Sequence, residues 1–583
     1  MKRTSQFVIM SLILAACAGK EMLRPVPPPS ASSVEAAAPE AFASTAKAAD
    51  SEAYLHYAIS QLAAQAGGLD EAISELRKAL ALDPNSPALW VHLARWLAKK
   101  EIHAEAVEAA RRAVQLDPTR TASRLALAEI YQAQRRFDEA AAELEAVIAQ
   151  SPAVLEPYLT LARYYVDRKE FGRAEAVLRR LLAVQPSYAP AYFFLGRIAG
   201  EQERWDEAIS FLKKAVELDP DHDAAWLSLG YIYETRKMDE EAVKTYRQAM
   251  EGNPDNLAIL ERLGDLLIRM GRFPDAQKEV ETLASHVTND PRVWLRLGAI
   301  YYEQKAFDKA IEAFRRVVAL EPTNLRAHFY LSSALFDGGK ETEALAELEA
   351  ILRADPRSID ARLQLAFIHS KAKRHEQAIR VLQEALELDP KRPDLSLHLG
   401  TAYYRAAQYD QAVKVFLGGL NLDANSKDLH FQLGVAYEKL GRFDDAVAQF
   451  RRVIVLDPKH AEAYNYVGYM YAEKGINLNE AVQLIEKALE LEPKNGYYVD
   501  SLGWAFYQQG RYPEALRELK HAVELAKDDA VIFEHLGDAS LKNGLEREAF
   551  RAYEKSVELD PKGESVRRKL DELQKKLGGS GQP

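Results

Sequence analysis

The 583-residue sequence has one cysteine, Cys17. A lone thiol closes no internal disulfide, which excludes a small disulfide-stapled fold. Long apolar runs are missing as well: residues 7–16 are mostly apolar but fall short of the ~20 residues a helix needs to cross a bilayer. Positive charge is in deficit. The 76 Lys and Arg stand against 87 Asp and Glu, a formal charge of −11 that becomes −13 when residues 1–16, with Lys2 and Arg3, are set aside. Nucleic-acid binding depends on cationic side chains neutralising phosphates, so this balance argues against it. The acidic excess is spread over helix surfaces, where it keeps a large chain soluble. Catalytic signatures are absent too: there is no HExxH, CxxC, P-loop or GxSxG pattern. None of the 13 histidines pairs with another at metal-binding helical spacing, and His369 and His375, six apart, fall on different helix faces. The sequence therefore points to no metal, no cofactor and no catalytic residue, and an enzyme is not expected.

What the sequence does have is a period. Residues 223–256 place Trp226, Leu229, Gly230 and Tyr233 on one face of a first helix, and Ala242, Tyr246 and Ala249 on one face of a second, with Pro254 closing the unit. Isolated helices of about 13 residues are marginal in water, so each must be held by neighbours. Prolines at Pro84, Pro118, Pro152, Pro186, Pro220 and Pro254 follow one another at intervals of 34, and the series resumes at Pro322, Pro356, Pro390, Pro458, Pro493 and Pro561. Fifteen consecutive frames fit residues 53–563, beginning at Ala53, Pro87, Thr121, Leu155, Ala189, Asp223, Leu257, Pro291, Leu325, Ile359, Pro393, Lys427, Ala461, Gly496 and Ala530. One extra residue within 474–478 accounts for the single 35-residue step.

The fixed positions have steric reasons. Alanine opens the second helix of every frame, from Ala72 to Ala549, and the eighth position is Gly, Ala or Ser, as at Ser60, Ala94, Gly230 and Gly537. Where two helices cross closely a branched side chain does not fit, and forcing one in costs about 1–3 kcal/mol. Asp-Pro or Glu-Pro ends most frames, since proline stops the second helix and biases its predecessor away from helical angles. Thr288, Ala424 and Lys527 replace that proline, and Leu283 replaces a common alanine in frame seven, which reads either as repeat drift or as a hinge.

This pattern resembles the tetratricopeptide repeat (TPR). The resemblance implies an all-α fold: a TPR α-solenoid, a right-handed superhelix of helix-turn-helix repeats over residues 53–563, with a capping helix at 564–577 and a tail at 578–583. It also implies that first helices line a concave face through frame positions two, five, six, nine, twelve and thirteen. On that pattern the groove candidates are Phe193, Phe194, Arg197, Tyr231, Phe329, Tyr330, Phe336 and Tyr404. Phe431, Asn465, Tyr466, Tyr469, Tyr497, Trp504 and Tyr507 continue the series. Tyr and Trp offer large contact area with a polar tip and are enriched at binding hot spots. The same rings serve inter-repeat packing equally well. The Lys and Asn combination of carboxylate-clamp TPR domains is absent, so an acidic C-terminal tail is not the expected ligand.

Residues 1–16 read as a signal peptide. Leu14-Ala15-Ala16-Cys17 resembles a bacterial lipobox, which implies cleavage before Cys17 and acylation, with palmitate among the expected chains. An ordinary signal peptide with an incidental cysteine is the competing reading. One acyl chain binds a membrane only marginally, so the several chains implied here would make attachment stable. Ala18, in place of an inner-membrane aspartate, implies sorting to the outer membrane. Residues 17–52 then comprise the lipidated cysteine and an Ala/Pro-rich disordered tether. Residues 465–538, with Asp500-Ser501-Leu502-Gly503-Trp504 and His535-Leu536-Gly537-Asp538, resemble the end of large bacterial TPR lipoproteins. Among these are adaptors of periplasmic carboxyl-terminal processing proteases (LbcA-like) and, as a second possibility, exopolysaccharide-export scaffolds (AlgK-like). The expectation is an outer-membrane-anchored periplasmic scaffold for protein partners such as a protease, a cell-wall hydrolase or a polysaccharide-export component. It touches the membrane through its lipid alone and binds no nucleic acid. A pilus-assembly lipoprotein, an enzyme-associated TPR arm and a cytoplasmic TPR regulator are the alternatives.

Overall fold

The computed structural model describes residues 48–579, with side chains described from 51 to 577. Cys17, the signal peptide and most of the tether lie outside the described residues. Those residues form 31 helices and no strand. Two compact units divide the chain, one ending at Leu320 and the other starting at Glu321. The first carries repeats 1–8 and the second carries repeats 9–15 with the terminal helix. Within each unit the element is a hairpin such as Asp223–Thr235, of 13 residues, followed by Asp239–Gly252, of 14. Residues 257–290 form the same hairpin within the first unit, and Leu283 is buried in it. The first helix begins at Ala48, inside the stretch read as tether, because the alanines and Glu52 favour helix. The last helix, Glu564–Gly579, runs two residues past the expected cap.

Each hairpin closes where position eight of the first helix meets position twenty-four of the second. A Cβ on Gly298 would stand 2.5 Å from Phe314, and one on Gly196 or Gly503 would stand 2.6 Å from Leu212 or Leu519. At Gly230 the added carbon would stand 2.2 Å from the Tyr246 ring, and at Gly400 and Gly537 2.3 Å from the rings of Phe416 and Tyr553. The two positions are matched in size. Every aromatic at position twenty-four, namely Tyr246, Phe314, Phe416, Phe450 and Tyr553, faces glycine, whereas alanine faces leucine or alanine, as at Ala128 with Leu144 and Ala94 with Ala110. The buried tyrosines keep their hydroxyls satisfied: Tyr246 donates to Glu234 at 2.6 Å and Tyr553 to Asp538 at 2.7 Å.

Both turns are built from local backbone chemistry. Position fifteen adopts a left-handed conformation in all fifteen repeats, through glycine at Gly67, Gly271 and Gly339 among others and through non-glycine residues such as Glu101, Lys237 and Ala407. The following amide reaches back five residues, as Ile102 N–H does to Leu97 C=O at 2.9 Å, which satisfies carbonyls the helix leaves open. At the other turn, Asp117 accepts from the Thr119 amide at 3.0 Å and Asp457 from the Lys459 amide at 3.1 Å, spanning the proline that has no N–H. Asp423 makes the same bond to Asn425 at 3.1 Å although Ala424 stands where proline is usual. The aspartate, then, holds this turn.

Position four ties consecutive repeats. Trp226 Nε1 donates to the Pro220 carbonyl at 2.8 Å, Trp294 to Thr288 at 2.8 Å, Tyr192 to Pro186 at 3.0 Å, and Arg124 Nε to Pro118 at 3.0 Å. Any side-chain donor six residues downstream of the turn can make this bond, so Trp, Tyr and Arg all serve, while Leu260, Val499 and Phe533 fill the same position without it.

The size matching makes a quantitative prediction. Gly230→Ala should cost about 1–3 kcal/mol through overpacking against Tyr246. Adding Tyr246→Leu should make the alanine nearly free, because Ala128 with Leu144 already uses that pair. A double-mutant cycle in urea unfolding measures the coupling, and additive losses would refute the matching.

Candidate functional site

The first helices of repeats 13, 14 and 15, Ala461–Lys474, Gly496–Gln508 and Ala530–Lys542, pack in sequence, so the side chains at positions five, six and nine of neighbours meet. Of the expected groove residues, Phe193, Tyr330 and Phe431 are buried. Phe193 packs on His222 at 4.7 Å and Phe194 at 5.6 Å; Tyr330 accepts from Arg326 at 3.0 Å. Phe431 lies 5.5 Å from Phe450, 5.0 Å from His460 and 5.5 Å from Tyr466. Arg197, Tyr231 and Tyr497 are exposed, Tyr497 by 58%. The others are half-buried: Phe329 beside Tyr330 at 6.3 Å, Phe336 against Phe367 at 5.8 Å and Tyr404 against Tyr409 at 5.4 Å.

The tightest cluster is in repeats 13–15. Trp504 has one ring face on His535 at 4.1 Å and also stacks with Tyr507 at 4.8 Å, while its Nε1 donates to Glu473 at 3.0 Å. Tyr469 also bonds to Glu473, and burial with that carboxylate pushes its hydroxyl pKa up. His535 Nδ1 stands 2.9 Å from Asp500 Oδ1, both side chains buried. Burial opposes the imidazolium, but the Asp500 charge and hydrogen bond, helped by Asp538 and Glu473, outweigh it and raise the His535 pKa. Asp538 and Glu534 are bridged by Lys569 of the terminal helix at 2.7 and 2.9 Å.

Beside this cluster a cleft of about 640 Å³ opens between repeats 13 and 14, with Glu462, Asn465, Tyr466, Glu492, Tyr497 and Tyr498 in its lining. Tyr466 stacks on Phe450 at 4.7 Å, and burial pushes its hydroxyl pKa up to about 12. Asn465 Oδ1 is sealed from solvent and accepts no hydrogen bond among the described residues. Choosing groove residues by aromaticity brought Asn465, Tyr466, Tyr469, Trp504 and Tyr507 together here. It missed Asp500, His535, Glu462 and Glu473, whose frame positions were available as the signal.

Two models of the tetratricopeptide repeat match the sequence, one at residues 57–121 and 159–223, the other at 97–153, 201–250 and 240–298. The chain is a tetratricopeptide-repeat protein. The TPR domain of cytochrome c-type biogenesis protein H matches residues 282–395, and the C-terminal domain of cilia and flagella-associated protein 70 matches 339–573. No curated protein matches the sequence. Similar solved structures include a TPR protein from Parabacteroides merdae, 15% identical, covering 43% of this chain and 98% of that one with a TM-score of 0.37. The C-terminal part of a TPR protein from Cytophaga hutchinsonii is 20% identical over 41% of this chain and 98% of its own, with a TM-score of 0.35. A chain of the APC/C hetero-tetramer Cut9-Hcn1 is 14% identical over 84% and 98%, with a TM-score of 0.36. The TPR array itself implies a protein-interaction scaffold.

The Asp500–His535 pair predicts a pH dependence in the last TPR units. Because the folded protein holds the His535 proton more tightly than an unfolded chain does, the pair's contribution is complete below the unperturbed value of about 6.5 and is lost as pH rises through the elevated folded value. Hydrogen exchange of Gly496–Gln508 and Ala530–Lys542 should therefore quicken, beyond the intrinsic base-catalysed change, as pH rises. His535→Gln should abolish that component, and Asp500→Ala should cost about 3 kcal/mol. An unchanged pH response in His535→Gln would contradict the assignment.

Proposed function

We propose that this TPR protein is a lipid-anchored scaffold on the periplasmic side of the outer membrane, acylated at Cys17, that holds protein partners on its first-helix face. The observation that carries the reading is continuity. From Ala48 to Gly579 the described residues are repeat hairpins, their turns and one terminal helix, so the chain's distinguishing chemistry is surface presented by repetition. Support for the location comes from the Leu14-Ala15-Ala16-Cys17 motif and from Ala18. Within this class the resemblance of residues 465–538 favours an adaptor for a periplasmic protease or cell-wall hydrolase. An exopolysaccharide-export or pilus-assembly scaffold is the second reading.

Metabolic labelling with a palmitate analogue should mark the wild-type protein and not Cys17→Ser, with the labelled species in the outer-membrane fraction. An unlabelled wild type would remove the anchor. Capture from an envelope extract by the chain lacking residues 1–17 should retain a defined protein that a repeat-scrambled control does not. Equal retention by both would remove the scaffold.

A further inference from the structure

We propose that this chain pairs with a second copy of itself through the first helix of repeat 1, Ala48–Gln65, the two helices crossing antiparallel. The pairing depends neither on the lipid anchor nor on what the first-helix face holds, so it goes beyond the scaffold reading. Its first support is a comparison between repeats. Position three of a repeat packs on position twenty-seven of the one before: a Cβ on Gly419 would stand 2.9 Å from Leu429, and Ala522 clusters with Ile532. Position ten packs on position twelve of the one before, since a Cβ on Gly200 would stand 3.5 Å from Ile232. Position three is buried in all fourteen later repeats, and position ten is buried in all of them but repeat 2, where Trp96 is half-buried. Repeat 1 carries leucine at both positions, and there Leu55 is 55% exposed and Leu62 65%. This end of the array keeps the chemistry of an internal interface, with nothing covering it among the described residues.

The other end is finished differently. Glu564–Gly579 occupies the frame after repeat 15 and buries Val566 and Leu573 at positions three and ten. It exposes Arg568, Asp571, Glu572 and Lys575, the polar surface that a terminal repeat requires.

Local backbone and symmetry identify what covers the leucines. Between later repeats a four-residue turn such as 253–256 lays the preceding helix over positions three and ten. The matching residues 49–52 are helical, in a first helix of 18 residues against 13 in Leu257–Arg269, so the repeat geometry brings no preceding helix over Leu55 and Leu62. A lipid surface suits this end poorly, because Glu52 and Glu71 of repeat 1 stand exposed and anionic leaflets repel carboxylates. A second copy suits it by symmetry, since an isologous contact needs a patch complementary to itself. Leu55 and Leu62 lie at equal distances from the Ala58–Ile59 step, so an antiparallel crossing centred there sets Leu55 of each copy on Leu62 of the other. Ala58 keeps the crossing close, as small residues do inside each hairpin. Ser51 then meets Ala66, and Glu52 meets the uncharged Gln65 instead of its own equivalent. Two copies joined in this way present two first-helix faces and make the scaffold bivalent.

Light scattering tests this on the chain carrying Cys17→Ser and on the chain lacking residues 1–17, a deletion that removes none of the described helices. Both should show twice the chain mass. Leu55→Glu with Leu62→Glu should raise the dissociation constant at least about tenfold at unchanged helicity, because neither side chain is buried in the single chain. In the Cys17→Ser background Ala58→Cys should oxidise to a covalent dimer, and Leu82→Cys, exposed on the second helix, should not. Monomers in both forms, or dimers left intact by the double substitution, would overturn the proposal. Dimers of the Cys17→Ser chain alone would overturn it by tracing association to residues 1–17. A monomer whose Ala48–Gln65 helix exchanges as slowly as Leu257–Arg269 would overturn it in favour of cover by residues 18–47. A monomer that still retains its envelope partner would remove the pairing and leave the scaffold standing.

Discussion

The contact between position eight and position twenty-four of each hairpin is the constraint on which the rest depends. It sets how closely two helices approach, and everything stacked on them inherits that distance. The contact is conjugate rather than fixed: glycine admits the rings of Tyr246 or Phe416, and alanine admits only leucine or smaller. Packing interiors tolerate swaps that conserve volume and resist those that do not, so the two positions behave as one variable. Neither helix in a pair is long enough to persist alone, and the close approach is what lets each bury the other's apolar stripe.

Local chemistry then fixes the direction of travel. The left-handed residue at position fifteen ends the first helix, and where aspartate precedes the turn, as at Asp117, Asp423 and Asp457, it turns the chain out of the second. In many repeats a position-four donor hooks the first helix to the preceding turn. These devices use backbone groups that helix ends leave open, so they tolerate several side chains and explain why Trp226, Tyr192 and Arg124 are interchangeable in place but alike in role.

The fold was legible because its determinants are periodic and steric: Ala72 to Ala549, the small eighth position and the turn prolines all announce themselves at intervals of 34. The size pairing was hidden, since it links two variable positions 16 residues apart. The face was read only in part. Phe431 and Tyr330, chosen as groove residues, are buried because neighbouring rings are large enough to cover them, a fact that depends on several repeats at once. Asp500 and His535 stood out only as parts of two short stretches, and their pairing was not legible because it comes from a 2.9 Å contact across two repeats. Cys17 and its anchor lie outside the described residues, so that expectation stands as a proposal.

The array thus divides its sequence in two, with matched interior pairs building the hairpins and the first-helix face left free to vary from repeat to repeat. Hydrogen exchange of the full-length protein, alone and with a captured partner, tests this separation most directly. The account predicts new protection concentrated in first helices, such as Lys427–Lys439, Ala461–Lys474, Gly496–Gln508 and Ala530–Lys542. Protection confined to second helices would contradict it.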